Sequence, residues 1–574
     1  MFLKETRVRR GERTYTYLQL VEGYRDERGR VRMRVVANLG RLEKLKASGE
    51  LDRLAAAFAR KDPPPAGTRR LVGALPLVAH YLRRLGLVEA VDHACPGKGR
   101  AQLTHGEVVA ALVCNRLTDP RPLYDVCGWA ERAGAHALLG TPPALLNDDR
   151  LGRALDALAR EVEQVRGALA LRALERFGIT PARIHWDYTS VAVEGTHAGS
   201  VLVRYGHSSD RRSHLKQVKL GQAATEDGVA FYHTVEQGAR NETACVVETM
   251  EQLRRALRHD RFLLCGDTAL VSQANLAALH RDSISFLAPL PTAWGYERRY
   301  LEEVGPDRLQ PLSYVSARQQ RLPAERRTRY RGCELAWPLT LDSGGIVPLR
   351  ALFVHSSEEE AACRASRTKQ LARAEEALAR IERGLGGRHY ADRAAVERRL
   401  AKLLDGSPGR FLRAEAGDKD GKPTLRFWRD EEAIREAERM DGIYCLITNL
   451  PAEQADPSTL LAWYKEQQRV EHAHRLLKGE LKVRPLFVQN DERIVALLAV
   501  CAFALLLYTL IEHDARRLYP DGLAALGERR RGPATARSVF ALLDQLELHH
   551  QPGGDPQLEG PADAHELLQR LTAN

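Results

Sequence analysis

The chain has 574 residues, too many for one ordinary hydrophobic core, so several domains are expected. Lys and Arg total 86 against 75 Asp and Glu, and the resulting formal net charge of +11 suits a polyanionic partner such as nucleic acid. The nine cysteines are scattered, odd in number and lack any C-x-x-C pair, which argues against a disulfide framework or zinc site and fits a reducing cytoplasm.

The opening stretch "MFLKETRVRRGERTYTYLQL" has no apolar segment of signal-peptide type, so secretion is not expected. Residues 1–61 read as a small basic β-element, with "TYTYLQLVEGY", the turn "RDERGR" and the alternating "VRMRVVANLG". "DPPPAGTRR", from Asp62 to Arg70, has the composition of a linker. Helical periodicity then fills residues 67–176. Thr104 and Glu107 have capping-box spacing ahead of Val108, Ala111, Leu112 and Leu117, and Asn147 is placed to cap a helix bearing Leu151, Leu155 and Leu158. A basic helical region can dock on DNA, and pattern alone fits an ordinary helical bundle equally well.

Residues 177–291 change texture. "RIHWDYTSVAVEG" is a strand, "QVKLGQAAT" and "VAFYHTVEQG" form a hairpin around "EDG", and "ETACVVETMEQLRRAL" is a helix. "RFLLCGD" is a further strand, followed by a short helix from Ser272 and the strand "ISFLAPL". The order strand, strand, strand, helix, strand, helix, strand predicts an α/β sheet with antiparallel and parallel parts, the order of an RNase H-like fold.

Residues 292–440 interrupt this core as an inserted domain, holding "CELAWPLTL", "VPLRALFVH" and a charged run, "EEEAACRASRTKQLARAEEALARIERGL", that reads as a solvated or coiled-coil helix pair. Residues 441–515 resume the core with the strand "DGIYCLITNLP" and a helix containing "YKEQQRVEHAHRLLK", Tyr464 to Lys478; residues 516–574 are expected to form a helical tail. "IVALLAVCAFALLLYTLI", Ile494 to Ile511, is uncharged and at the lower edge of membrane-spanning length. It is alanine-rich and carries Tyr508 and Thr509, so it reads as a buried core helix, with no membrane association expected.

Two acids fall at strand ends or mid-sheet: Asp187 in "IHWDYTSV" and Asp267 in "LLCGDTAL". Taken singly, each is as well explained as a turn former or helix cap. Together, carboxylates held on neighbouring strands can share a divalent metal. Oxygen-only ligands suit Mg²⁺ or Mn²⁺, and two such ions ~3.5–4 Å apart can activate a hydroxyl and stabilise the leaving oxygen of a phosphodiester. Glu471 is the candidate third acid. At about 100° per residue, Tyr464, Gln467, Glu471, Arg475 and Lys478 share roughly 80° of helix face, although Glu471 and Arg475 also have the spacing of an ordinary i,i+4 ion pair. His207 and His214 have no metal-ligand spacing and read as structural or surface residues.

In this order the motifs resemble bacterial insertion-sequence transposases of the DDE type, in the group marked by Tyr-x2-Arg-x3-Glu-x6-Lys (the insertion-sequence-four-like superfamily). Tyr464, Glu471 and Lys478 match that signature, while Gln467 stands in place of its arginine. "DYTSVAVEG", "GHSSDRRSHLKQV", "GDTALVSQANL", "LNDDRLGRALD" and "RVVANLGRL" resemble further blocks of the family, so the likeness covers most of the chain. The resemblance implies Asp187, Asp267 and Glu471 as the catalytic, metal-binding triad for two Mg²⁺ or Mn²⁺ ions. It implies DNA contacts from Tyr464 and Lys478, with Arg475 on the same face placed to replace the charge lost at Gln467. Ala269, where relatives often have glycine, is a smaller departure.

What the resemblance implies for function is cleavage at insertion-sequence ends and joining of the 3′-hydroxyl to target DNA, cut-and-paste fashion. The partners are then double-stranded DNA, as terminal inverted repeats and target, with a homodimer in the synaptic complex and a nucleoid-associated cytoplasmic location. The family often forms a DNA hairpin intermediate, and Trp294 could stack on a flipped base there, a role that competes with that of a plain core or surface tryptophan. Two alternatives remain at this level: a structure-selective nuclease on the same fold, and a domesticated DNA-binding relative that no longer cuts. The second would have lost an acid, and all three are present.

Overall fold

The alternation in the N-terminal segment folds as expected into strands β1 (Phe2–Arg10), β2 (Arg13–Arg25) and β3 (Val31–Arg41), an antiparallel sheet in that order with Leu18 and Val21 buried. The computed structural model describes residues 2–10, 13–25, 31–42, 69–97, 101–208, 212, 214–257, 262–341, 344–483, 486, 488–528, 532–549 and 556–573. Most of the "RDERGR" turn and of the "DPPPAGTRR" linker lies outside them. The chain divides into two units, Met1–Arg70 with Leu548–Leu558, and Leu71–Glu547 with Glu559–Asn574.

The second unit begins with helices α1 (Leu75–Leu85), α2 (Leu87–Ala94), α3 (His105–Thr118), α4 (Val126–Arg132), α5 (Ala135–Leu139), α6 (Asp148–Arg160) and α7 (Val162–Arg176). The capping box is formed: Thr104 Oγ1 accepts the Glu107 N–H at 3.1 Å, and the Glu107 carboxylate accepts the Thr104 N–H at 2.7 Å. Asn147 caps α6 by accepting the Arg150 N–H at 2.9 Å. Each cap fixes a helix start for about 1 kcal/mol.

Next come β4 (Arg183–Ala192), β5 (Gln217–Thr225), β6 (Ala230–Gln237), α8 (Val246–Leu257), β7 (Leu263–Cys265), α9 (Gln273–Arg281) and β8 (Ser285–Pro289). β4, β5 and β6 pair antiparallel, whereas β4 with β7 and β7 with β8 pair parallel. The predicted element order is thus present in one mixed α/β sheet.

That sheet does not end at β8. Strands β9 (Gln310–Leu312), β10 (Tyr330–Ala336) and β11 (Arg350–Ser356) extend it. After them come α10 (Ser357–Arg383), α11 (Arg393–Leu404), the hairpin β12 (Leu412–Lys419) with β13 (Lys422–Arg429), and α12 (Glu431–Glu438). Strand β14 (Ile443–Thr448) then returns between β8 and β11, giving the nine-stranded order β9-β10-β11-β14-β8-β7-β4-β5-β6. The charged run of α10 is not wholly solvated. Leu371, Ala374, Leu378 and Ile381 pack with Val396, Leu400, Phe411 and Leu412 into a cluster of their own.

Helices α13 (Pro457–Lys465), α14 (Gln468–Gly479) and α15 (Asp491–Leu518) follow, then α16 (Ala536–Leu543), two short strands and α17 (Ala562–Thr572). By length and composition α15 could cross a membrane, but its apolar stretch is 94% buried inside the protein. It packs against α1, α3, α6 and α7, against β6 and α14, and against α16 and α17 that follow it. Two of its buried polar side chains make directional bonds to neighbours: Thr509 Oγ1 accepts the Ala230 N–H of β6 at 3.1 Å, and Asp514 accepts from the Tyr81 hydroxyl at 2.9 Å and Arg84 Nη1 at 2.7 Å.

Helix α10 is tied to the segment leading into β14 by a buried ion pair, in which Arg367 donates through Nη1 to Asp441 at 2.9 Å and both residues are under 9% exposed. Removing one partner strands a desolvated charge. Asp441→Ala is expected to destabilise the protein by about 3–5 kcal/mol, whereas the double change Arg367→Met with Asp441→Leu should cost far less; thermal melting of the three proteins measures the difference.

Candidate active site

Parallel pairing of β4 with β7 sets the first two acids. The register runs Arg183 with Leu263, Ile184 with Leu264 and His185 with Cys265, so two residues further on Asp187 is level with Asp267. Asp187 lies inside β4, its Oδ1 accepting the Tyr188 N–H at 2.8 Å. Asp267 lies two residues past the end of β7 and caps a short 3-10 turn by accepting the Ala269 N–H at 3.0 Å. Both cap and catalyst readings of Asp267 are therefore compatible with one position.

The electrostatics are less neutral. Burial, then the adjacent Asp187 charge, push the Asp267 carboxyl up to about 6, with Glu242 adding to the effect and the Ala269 N–H opposing it. Two carboxylates held this way repel each other unless a cation or a proton intervenes. Close packing keeps them so: Trp186 and Tyr188 stack edge to face at 5.4 Å over Gly221 of β5, where a Cβ would lie 2.4 Å from the Trp186 ring.

The segment Tyr464–Lys478 is not the single helix expected from its spacing. It is two helices, α13 and α14, broken at Glu466 and Gln467, so Tyr464 does not share a continuous face with Glu471. The cause is tertiary. Glu466 accepts from Arg183 Nε at 2.8 Å; the Gln467 amide oxygen meets His185 Nδ1 at 3.1 Å and its nitrogen donates to the Trp186 carbonyl at 3.0 Å. Backbone bonds tighten locally to i→i+3, from Gln467 to Tyr464 and from Arg469 to Glu466. Gln467 thus faces β4, one residue before Asp187.

Beyond the break, α14 buries Val470, Ala473, His474 and Leu477 and turns Glu471 and Arg475 outward, with Lys478 half-buried on the same side. Among the described residues no ion pair joins Glu471 to Arg475. Tyr464, half-buried on α13, has its phenol pushed up to about 12 by burial and then by the charges of Glu359, Glu471 and Asp267, so it lies within electrostatic reach of two of the acids. Asp187 and Asp267 are brought side by side; Glu471 reaches them only through this shared neighbour. Among the described residues, no three His, Cys, Asp or Glu side chains are close enough to hold a metal ion.

Residues that spacing did not single out also shape the site. Buried His474 sets Nδ1 3.5 Å from Asp187 Oδ2, and its position three residues after Glu471 is the one sequence signal for it. Lys219 of β5, buried and bonded to Glu242 Oε1 at 2.8 Å, lines with Asp267 and Trp294 a cleft of about 600 Å³. A lysine as the one charged side chain of the strand "QVKLGQAAT" was the available clue. Trp294 is half-buried at that cleft, and His207 lines it too.

Comparison with known families matches most of the chain. Residues 3–66 match the IS1634 family transposase N-terminal domain, and residues 68–170 match a domain of unknown function (DUF4277). No curated protein matches the chain. Residues 186–507, more than half of the chain, match the transposase DDE domain, which implies an RNase H-like core, DNA binding and metal-dependent DNA cleavage. The span takes in Asp187, Asp267 and Glu471 together with everything between β8 and β14. The chain is a member of the DDE transposases, enzymes of mobile insertion sequences.

Proposed function

We propose that this transposase cleaves the ends of its insertion sequence and joins the freed 3′-hydroxyls to target DNA, with Asp187, Asp267 and Glu471 as the catalytic acids. The observation that carries this reading is the forced proximity of Asp187 and Asp267, whose mutual repulsion a divalent cation would relieve. The donor set, carboxylate oxygens alone, fits Mg²⁺ or Mn²⁺. Two bound ions would supply activation of the attacking hydroxyl and stabilisation of the leaving oxygen, in cleavage and joining alike. His474 orients the Asp187 carboxylate. Gln467 and Glu466 anchor the start of α14, and so hold Glu471 one turn away from β4.

DNA phosphates are met by Lys478 and Arg475 on the outer side of α14 and by the Tyr464 hydroxyl; Gln467, turned to β4, acts as a positioning residue and not as the phosphate contact expected from its place in the signature. Trp294 at the Asp267 cleft is available to stack on an unpaired base. The same reading takes residues 292–440 as an insertion into an RNase H-like core, residues 67–176 as a DNA-binding helical domain, and a homodimer acting on inverted repeats in the cytoplasm.

Asp187→Asn, Asp267→Asn and Glu471→Gln should each lower strand transfer with Mg²⁺ by about 10³-fold or more while leaving binding to end DNA intact. Wild-type joining by any one of them removes that residue from the triad. For Lys478→Ala, end binding should weaken and its dependence on log salt become shallower by about one unit; an unchanged slope rules out a phosphate contact.

The raised Asp267 carboxyl also has a stability consequence. The folded state holds this proton more tightly than the unfolded chain, so without divalent cation stability falls as pH rises from about 4 to about 6. Asp267→Asn should therefore be more stable than wild type at pH 7.5 in chelator, by about 1–3 kcal/mol, and Mg²⁺ should stabilise wild type but not the variant. Thermal melts across pH 4–8 with and without Mg²⁺ test both signs.

A further inference from the structure

The connection between β9 and β10 contains "ARQQRLPAERRTR", residues 317–329, with five arginines against one acid, Glu325. Bonds within it fix its shape. Arg327 donates through Nε to the Leu322 carbonyl at 2.9 Å and through Nη2 to that of Gln320 at 3.0 Å. Buried Thr328 donates to Glu358 at 2.9 Å, and the Arg329 N–H donates to Ser357 Oγ at 2.9 Å, seating the loop on the start of α10. The side chains of Arg318, Arg326 and Arg329 are exposed and form no ion pair among the described residues. They rim a cleft of about 1030 Å³ that also takes in Tyr330, Lys465 and Arg469. Six cationic side chains line it against three acids, Glu325, Glu358 and Glu466, and Glu466 is paired with Arg183, so the cleft is positive.

Its position follows from strand direction. β10, β11, β14 and β8 pair antiparallel in succession, and β8 is parallel to β7, so Tyr330, at the start of β10, lies at the same edge of the sheet as the end of β7, where Asp267 follows. Four strand spacings of ~4.8 Å separate them, about 19 Å. At ~3.4 Å per base pair, a duplex laid along that edge spans this in about five to six base pairs.

We propose that the arginine cleft holds the phosphate backbone of the target duplex, about five to six base pairs from the point of joining. The inference rests on the strand-transfer reading above. Target DNA must be accepted whatever its sequence, and exposed guanidiniums on a fixed loop supply contacts to phosphate that carry no sequence information. Element ends, in contrast, have to be read.

The test uses the full chain carrying Arg318→Ala, Arg326→Ala and Arg329→Ala together, and a second protein with lysine at the same three positions. Substrates are an end-bearing duplex and an unrelated 30-base-pair target. The alanine protein should cleave ends within twofold of wild type but join them to target at least tenfold more slowly at 0.15 M salt. Its affinity for the unrelated duplex should show a log-salt slope shallower by about three. The lysine protein should recover most of the joining. Wild-type joining by the folded alanine protein overturns the proposal; so does a parallel loss of end cleavage, which would assign the cleft to the element end. Unchanged duplex binding also overturns it, and points to an acidic protein partner instead. If the wild-type chain itself neither cuts nor joins, strand transfer is the reading that fails, while duplex binding still decides the cleft.

Discussion

The union of helical region and sheet in the larger unit depends on covering α15. An uncharged helical stretch of this length exposes apolar surface all round, and no single neighbour can bury it. The helical region, β6 with α14, and the later helices α16 and α17 cover it together. Its apolar burial is non-directional, but Thr509 on the β6 backbone and Asp514 between Tyr81 and Arg84 are directional. These bonds set the rotation of the helix among its neighbours. The helices of residues 71–176 are therefore fixed to the catalytic sheet through shared contact with one element.

Two of the three proposed catalytic acids sit on or beside the paired strands of the sheet. Asp187 is inside a strand paired on both sides, and Asp267 is two residues past the end of a strand also paired on both sides. Neither can retreat from the other, so the cost of their charges is stored in the protonation of Asp267. Glu471 is held differently, on an exposed helix face, with the helix start pinned to β4 by Glu466 and Gln467. Of the three proposed acids, two are built into the sheet and the third is carried on a helix.

Local signals made much of this legible. The capping box at Thr104, the Asn147 cap, the β5–β6 hairpin and the strand order through β8 all depend on residues close in sequence, and the sheet follows from them by short, ordinary connections. The break at Glu466–Gln467 was not legible, because its partners Arg183, His185 and Trp186 lie almost three hundred residues earlier and nothing in "YKEQQRVE" opposes a continuous helix. The role of His474 against Asp187 was hidden for the same reason. Extension of the sheet by β9, β10 and β11 was likewise out of reach: strand-like patterning was visible there, but which edge a strand joins is decided by packing and not by periodicity. The acids themselves became readable as a set only through their order along the chain.

One consequence of α15 concerns time and not space. Ribosomes add about 5–20 residues per second, so the interval between finishing α7 and finishing α15 is roughly 20–70 s. Through that interval the faces of α1, α3, α6 and α7 that α15 will cover have no partner from their own chain. The apolar surface that makes the finished enzyme coherent is, during synthesis, an unshielded one, and the catalytic sheet and helical region become a single body only when nearly all of the message has been read.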